Sequence, residues 1–254
     1  MFVKICGVTT VDDALLAAGL GADSVGLNFA NESPRRINRE LARDIVRRLP
    51  PEIVTVGVFR NQARDYVVET ANKLGLRAVQ LHGHETPEDS RWIAARVPAV
   101  IRAFSYADPA LSSGADYGPH RLLIDSPTPG SGQVFDWSNL EIAAAGRKFI
   151  LAGGLGPDNV ADAIGVARPW GVDTASGVES APGRKDPSKV RRFIAAARQA
   201  AGALGPDHDP FELAATDLFP DDQVWHRLES GDRADLLSWT VGDQDLYPAE
   251  DDKW

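Results

Sequence analysis

Sulfur is scarce in this chain: 254 residues contain one cysteine, Cys6, and one methionine. A single cysteine excludes an intramolecular disulfide framework, so a folded chain must be held by its core. Long apolar runs are lacking too, and none approaches the roughly 18 residues of a membrane span. The first residues carry no basic segment leading into an apolar stretch, so no signal peptide is expected and the cytoplasm is the expected compartment. What remains is 43% apolar and 25% charged, the balance of a soluble globular enzyme with one sizeable core.

Basic charge is lacking at one end only. Residues 201–254 hold 14 acidic against three basic side chains, whereas residues 1–200 hold 22 against 24. The formal net charge of -9 therefore belongs to the extension, and the body is near neutral. An acidic tail is repelled by nucleic acid and by anionic lipid, so neither is an expected partner, while a near-neutral body accepts a small anion in a local basic pocket.

Eight short runs rich in β-branched residues recur along the body: FVKIC, SVGLNF, IVTVGVF, AVQLHG, VIRAFS, LLIDS, FILAGG and GVDTAS. Between them lie segments of helical periodicity, Val11–Ala18, Arg39–Leu49, Ala63–Leu74, Pro87–Arg96, Asp136–Ala145, Pro157–Val166 and Ser188–Ala200. Thr86, with Asp89 three residues on, and Ser188 are the expected caps at two of the starts. Asp108–Gly118 reads as a loop or a single turn. Strands apolar nearly throughout imply a parallel sheet covered by helices, and a count of eight selects an α/β fold of the closed (β/α)8 or TIM-barrel type, complete near residue 200.

In such barrels the chemistry sits at the C-terminal ends of the strands. Cys6 ends the first strand and Asp125 the sixth. Taken singly, a lone cysteine in an apolar strand reads as an inert buried residue and an Asp after a strand as a turn or cap. Both at strand ends of one barrel supply a thiol base, if its pKa is lowered, and a carboxyl acid, if its pKa is raised. Lys4 lies two residues before Cys6 on the same strand face, where its charge favours thiolate. LAGGLGPDNV and ASGVESAPGRKD follow strands seven and eight, the loops in which these barrels hold a phosphate through backbone N–H groups. Gly153, Gly154, Ser176 and Gly177 are the candidate phosphate-binding residues. His82 and His84 of HGHE alternate across a strand end with no third ligand near in sequence, so no metal is expected.

Residues 2 to about 198 carry KICGVT, SPRRI, VGVF, QLHG, LLIDS with a following GSG, FDW, LAGGL, and SGVES with PGRKD. In order and spacing this set resembles the phosphoribosylanthranilate isomerase family. The resemblance implies an Amadori rearrangement in tryptophan biosynthesis: the ribose ring of N-(5'-phosphoribosyl)anthranilate opens and the aldose amine becomes a 1-deoxyribulose, with no cofactor. It implies Asp125 as general acid, Cys6 as general base, and Arg35 as the group that holds the anthranilate carboxylate, with Arg36 solvated. Lys4, Gln80, His82 and Asp173 are the other expected substrate-binding residues, Asp173 by contacting a ribose hydroxyl or orienting its loop. Two departures stand out: PGSG where the family more often has a Gly-Gly-Thr-Gly type loop, and His84 where an acid or amide is usual.

Two other readings stay open. A histidine-pathway or dual-substrate phosphoribosyl isomerase would use an Asp as base at the end of strand one, so Cys6 counts against it. A docking module acting through its acidic tail would not require Cys6, Arg35 and Asp125 together at strand ends. The extension opens on the linker-like GALGPDHDP, and then Val224, Trp225 and Leu228, followed by Leu236, Leu237 and Trp239, fall at helix-compatible spacing. Three of the six tryptophans lie in it, more than a solvated acidic tail carries. Partial order is the expectation, with the aromatics docked on the barrel or on a protein partner.

Overall fold

Runs that are apolar on both faces must pack between two layers, here a barrel interior and a helical layer. In the computed structural model, which describes residues 1–126, 136–138, 140, 144 and 146–204, they do so. Strands β1 (Phe2–Cys6), β3 (Val54–Phe59), β4 (Ala78–Leu81), β7 (Phe149–Leu151) and β8 (Gly171–Thr174) are buried along their whole length. With β2 (Ser24–Asn28), β5 (Val100–Ser105) and β6 (Arg121–Asp125) they form a closed barrel in chain order. Every neighbour is parallel, and β8 returns to β1 in the register Phe2↔Gly171 to Ile5↔Thr174. Cys6 and Asp125 are the last residues of β1 and β6.

The outer layer holds α1 (Val11–Gly19), α2 (Arg39–Arg48), α3 (Arg64–Leu74), α4 (Pro87–Ala94), α5 (Val160–Ala167) and α6 (Pro187–Ala203). Local chemistry starts them: Thr10, Asn38 and Thr86 each accept a hydrogen bond from the N–H three residues on. Between β5 and β6 the chain makes only two short 3-10 turns, Pro109–Leu111 and Gly114–Tyr117, as its interrupted sequence implies. The expected helix 136–145 falls largely outside the described residues, and the PGSG loop wholly so.

Besides α3, which starts one residue late at Arg64 and not Ala63, two helix starts differ from expectation. α5 begins at Val160 and not Pro157, because the side chain of Asn159 is engaged in the preceding loop, accepting from Gly156 N at 2.8 Å and donating to the Gly154 carbonyl at 3.0 Å. Asp186, not Ser188, caps α6: its Oδ1 accepts from the N–H groups of Ser188 and Lys189 at 2.8 and 3.0 Å. Pro187 then takes the first helical position, where a missing N–H costs nothing. α6 continues past Ala200 to Ala203. Among the described residues no helix is long and apolar enough to cross a membrane.

Candidate active site

The C-terminal strand ends frame a cavity of about 410 Å³. Cys6, Gln80, His82, Asp125 and Asp173 all open on it, so the expected acid and base share one space. Arg35, from the loop after β2, lines it as well.

Cys6 sits over Gly26 of β2. A Cβ there would stand 2.7 Å from the Cys6 sulfur and 3.2 Å from Lys4 Nζ, so only glycine leaves room for the two groups together. Lys4 is wholly buried, and its Nζ pairs with Asp173 Oδ1 at 3.1 Å. It does not line the cavity, which corrects the expectation of a substrate contact: a buried ammonium is tolerated where it is paired, and this one is held beneath Cys6 and Asp173. Burial opposes the Lys4 charge, yet Asp173 and Cys6 outweigh it and hold the ammonium above its ordinary pKa. For Cys6 the direction expected from Lys4 alone is also corrected. Burial pushes the thiol up, Lys4 pulls it down less strongly, and Asp173 adds to the upward push.

On the β4 and β6 side, Gln80 Nε2 lies 2.9 Å from His82 Nδ1. With the amide donating, Nδ1 is the acceptor and the ring proton belongs on Nε2. His82 Nε2 stands 3.3 Å from Asp125 Oδ2, near enough to pair but at an angle that makes no hydrogen bond. Asp125 Oδ1 accepts from Ser126 N at 2.7 Å. Gln80 Oε1, on a nearly fully buried side chain, has no partner among the described residues. His84 is exposed and does not line the cavity.

Arg35 is not free to present its whole fork. Its Nε and Nη2 donate to Glu179 Oε1 and Oε2 at 2.7 and 2.8 Å, so bidentate capture of a ligand carboxylate through that edge is excluded and the Nη1 side remains. The hydrogen bonds that Arg35 donates to Glu179 raise its pKa against the effect of burial. Arg36 is exposed. Glu179 and Lys185 carry no role in the sequence patterning. They face each other across a small antiparallel hairpin, β9 (Glu179–Ala181) with β10 (Arg184–Lys185). Lys185 Nζ donates to Glu179 Oε1 at 3.0 Å and to the carbonyls of Cys6 and Ala175 at 2.6 and 3.1 Å, clamping the ends of β1 and β8 together. Burial lowers the Lys185 pKa; it pushes Glu179 up, but the bonds from Arg35 and Lys185 prevail and hold that carboxyl low. The Pro182-Gly183 pair, a hairpin-turn signal, is the cue that marks this element.

Behind Asp125, Gly153 adopts φ +88°, and a Cβ would stand 2.4 Å from Ser126 N and 2.7 Å from Asp125 Oδ1. Gly153, Gly154 and Ser176 line the cavity, and among the described residues no backbone carbonyl accepts from their N–H groups. Gly177 does not line it. This glycine packs against the Leu155 carbonyl, where a Cβ would stand 1.9 Å from the oxygen, and so fits the two loops together.

A closed (β/α)8 barrel whose mouth joins a buried thiol, a carboxyl beside an imidazole, and loop N–H groups after β7 and β8 that no carbonyl among the described residues engages defines an acid–base enzyme of phosphorylated small molecules. Comparison with known proteins narrows the class. Residues 3–196 match the family described as N-(5'phosphoribosyl)anthranilate (PRA) isomerase. The N-(5'-phosphoribosyl)anthranilate isomerase of Citrifermentans bemidjiense is 45% identical over 203 residues, covering 78% of this chain and 98% of its own. The crystal structure of the Thermus thermophilus phosphoribosyl anthranilate isomerase superposes with a TM-score of 0.73 at 42% identity, over 78% of this chain and 99% of that one. A further phosphoribosyl anthranilate isomerase structure, in complex with reduced 1-(o-carboxyphenylamino)-1-deoxyribulose 5-phosphate, matches at 40% identity and a TM-score of 0.71 over the same shares. This chain belongs to the phosphoribosylanthranilate isomerase family.

Proposed function

We propose that the protein isomerises N-(5'-phosphoribosyl)anthranilate to 1-(2-carboxyphenylamino)-1-deoxyribulose 5-phosphate, the Amadori step of tryptophan biosynthesis. One observation carries the reading beyond family membership: Cys6 and Asp125 open on the same cavity that Gly153, Gly154 and Ser176 line with N–H groups that no carbonyl among the described residues engages. Asp125 gives its proton to the ribose ring oxygen as the C1'–O bond breaks and the nitrogen lone pair forms an iminium. The Cys6 thiolate then takes the C2' proton, and the C–H electron pair neutralises the iminium to an enolamine. Loss of the enol proton and return of a proton to C1' give the ketone. The sequence is redox-neutral and needs no co-reactant. Asp173, held by Lys4, accepts from a ribose hydroxyl; Gln80 Oε1 takes a second donor; the loop N–H groups take the phosphate. His82 supports Asp125 once it has become a carboxylate.

Arg35 holds the anthranilate carboxylate through the side that Glu179 leaves open. A contact common to ground and transition states acts on binding. Arg35→Ala should therefore raise KM by about tenfold or more, the worth of a charge-assisted hydrogen bond, and lower kcat less. An unchanged KM in steady-state assays removes Arg35 from the site.

The catalytic unit is residues 1–200, and residues 201–254 are an acidic extension outside it, in the cytoplasm. An assay of the full chain and of residues 1–204, each on the anthranilate substrate and on the aminoimidazole carboxamide ribonucleotide of the histidine pathway, tests both parts. Turnover of the first substrate alone, by both chains within a few fold, is the expected result. Turnover of both substrates makes it a dual-substrate isomerase, and turnover of neither restores the docking module. A folded but inactive 1–204 chain places the boundary elsewhere.

A further inference from the structure

Arg102 is a guanidinium almost completely inside the protein, 2% exposed, on a strand whose other residues are mostly apolar. It does not line the active-site cavity. Its hydrogen bonds converge on the segment just after β4. Nη1 donates to the Leu81 carbonyl at 2.7 Å, the Ala103 carbonyl at 3.0 Å and Glu85 Oε2 at 3.1 Å. Nη2 donates to the carbonyls of Gly83 at 2.9 Å and Glu85 at 3.4 Å. The carbonyls on either side of His82 are thus held by one rigid fork.

Glu85 completes the arrangement from the other side. Its Oε2 accepts from Gly83 N at 2.9 Å and its Oε1 from Asn61 N at 2.8 Å. Asn61, itself in the left-handed region at φ 62°, accepts from His84 N through Oδ1 at 2.6 Å. Every residue flanking His82 from Leu81 to Glu85 is therefore tied by at least one backbone atom. A buried ion pair is a poor source of stability, since an apolar pair of similar volume serves as well or better. What this pair supplies is geometry, because a planar fork bonded to several carbonyls fixes both place and angle. The geometry matters at His82, whose Nε2 is 3.3 Å from Asp125 Oδ2 and short of a hydrogen bond only by direction.

We propose that Arg102, paired with Glu85, is a positioning residue that sets the His82 imidazole against Asp125 for the proton-donating step. This deepens the isomerase reading above and rests on it for its kinetic consequence, while the structural half stands alone. The test is the double variant Glu85→Gln with Arg102→Met, which leaves no unpaired charge in the core, beside Arg102→Lys, which keeps a cation against Glu85. Imidazole 15N spectra of the ligand-free full chain, with the His82 signals assigned by His82→Asn, should show the single Nε2–H tautomer in the parent protein and an averaged pair of tautomers in the double variant. In turnover assays the double variant should lose about tenfold to a hundredfold in kcat with KM within about twofold, the cost of a misplaced group, and Arg102→Lys, which keeps the charge without the fork, should recover little of the loss.

A folded double variant with parental His82 ring signals overturns the proposal, whatever its rate. Altered ring signals with parental kcat overturn it equally, since the ring would then be moved without consequence for the acid step. Should the double variant fail to fold, Glu85→Gln alone is read by the same two measurements. Absence of turnover in the parent protein refutes the isomerase reading, and the ring signals then still decide whether the latch holds His82.

Discussion

Asp125→Asn is expected to lower kcat by at least about a hundredfold with KM nearly unchanged, the signature of a lost general acid. The substitution keeps the shape of the side chain and leaves an oxygen to accept from Ser126 N, which Asp125 Oδ1 now does at 2.7 Å. An amide has no transferable proton for the ring oxygen, so the ribose ring stays closed and the iminium is not formed. His82 does not replace the acid, because its Nε2 approaches the Asp125 carboxyl and not an open part of the cavity. Steady-state kinetics on the anthranilate substrate, with circular dichroism to confirm folding, measure the effect. Near-parental turnover by the folded variant would take the acid role from Asp125.

Cys6→Ser is the second large effect, again at least about a hundredfold in kcat. A hydroxyl fits over Gly26 in place of the thiol but is far less acidic, so the C2' proton has no anionic base to receive it. The pH dependence separates this loss from a packing defect. Burial and the Asp173 carboxylate hold the Cys6 thiol above its ordinary value of about 8.5, so the thiolate fraction of the free protein grows as pH rises through that raised value. The base is the deprotonated form, and kcat/KM of the parent protein should therefore climb with pH across the alkaline side. Cys6→Ser should remove the climb together with the rate. A parental profile that is flat from pH 7 to about pH 9 would mean that Cys6 does not titrate in the free enzyme as its surroundings require.

Both effects follow from strand-end positions that are legible in the amino-acid sequence. The run FVKIC ends at Cys6 and LLID at Asp125, and a parallel barrel puts both ends at one mouth. The loop glycines are legible for a similar reason, although Gly177 serves the fit of one loop on another. The hairpin of Glu179 and Lys185 is legible only at its Pro182-Gly183 turn, because strands of three and two residues show no periodicity. Arg102 is hidden differently. In VIRAFS it reads as one polar residue in an apolar strand, and nothing local shows that its partners lie around Leu81 to Glu85.

The sequence by itself determined the alternation of strands and helices, hence the closed barrel, and which polar residues end its strands. Periodicity, capping and turn chemistry act over a few residues, so a linear reading captures them. Only the tertiary structure decided which of those residues are free to act. Lys4 is occupied by Asp173, 169 positions away, and the Nε–Nη2 edge of Arg35 by Glu179, 144 positions away. The thiol of Cys6 is raised, not lowered, because desolvation depends on everything that closes over the sulfur, and charge acts through space along distances the chain order does not record.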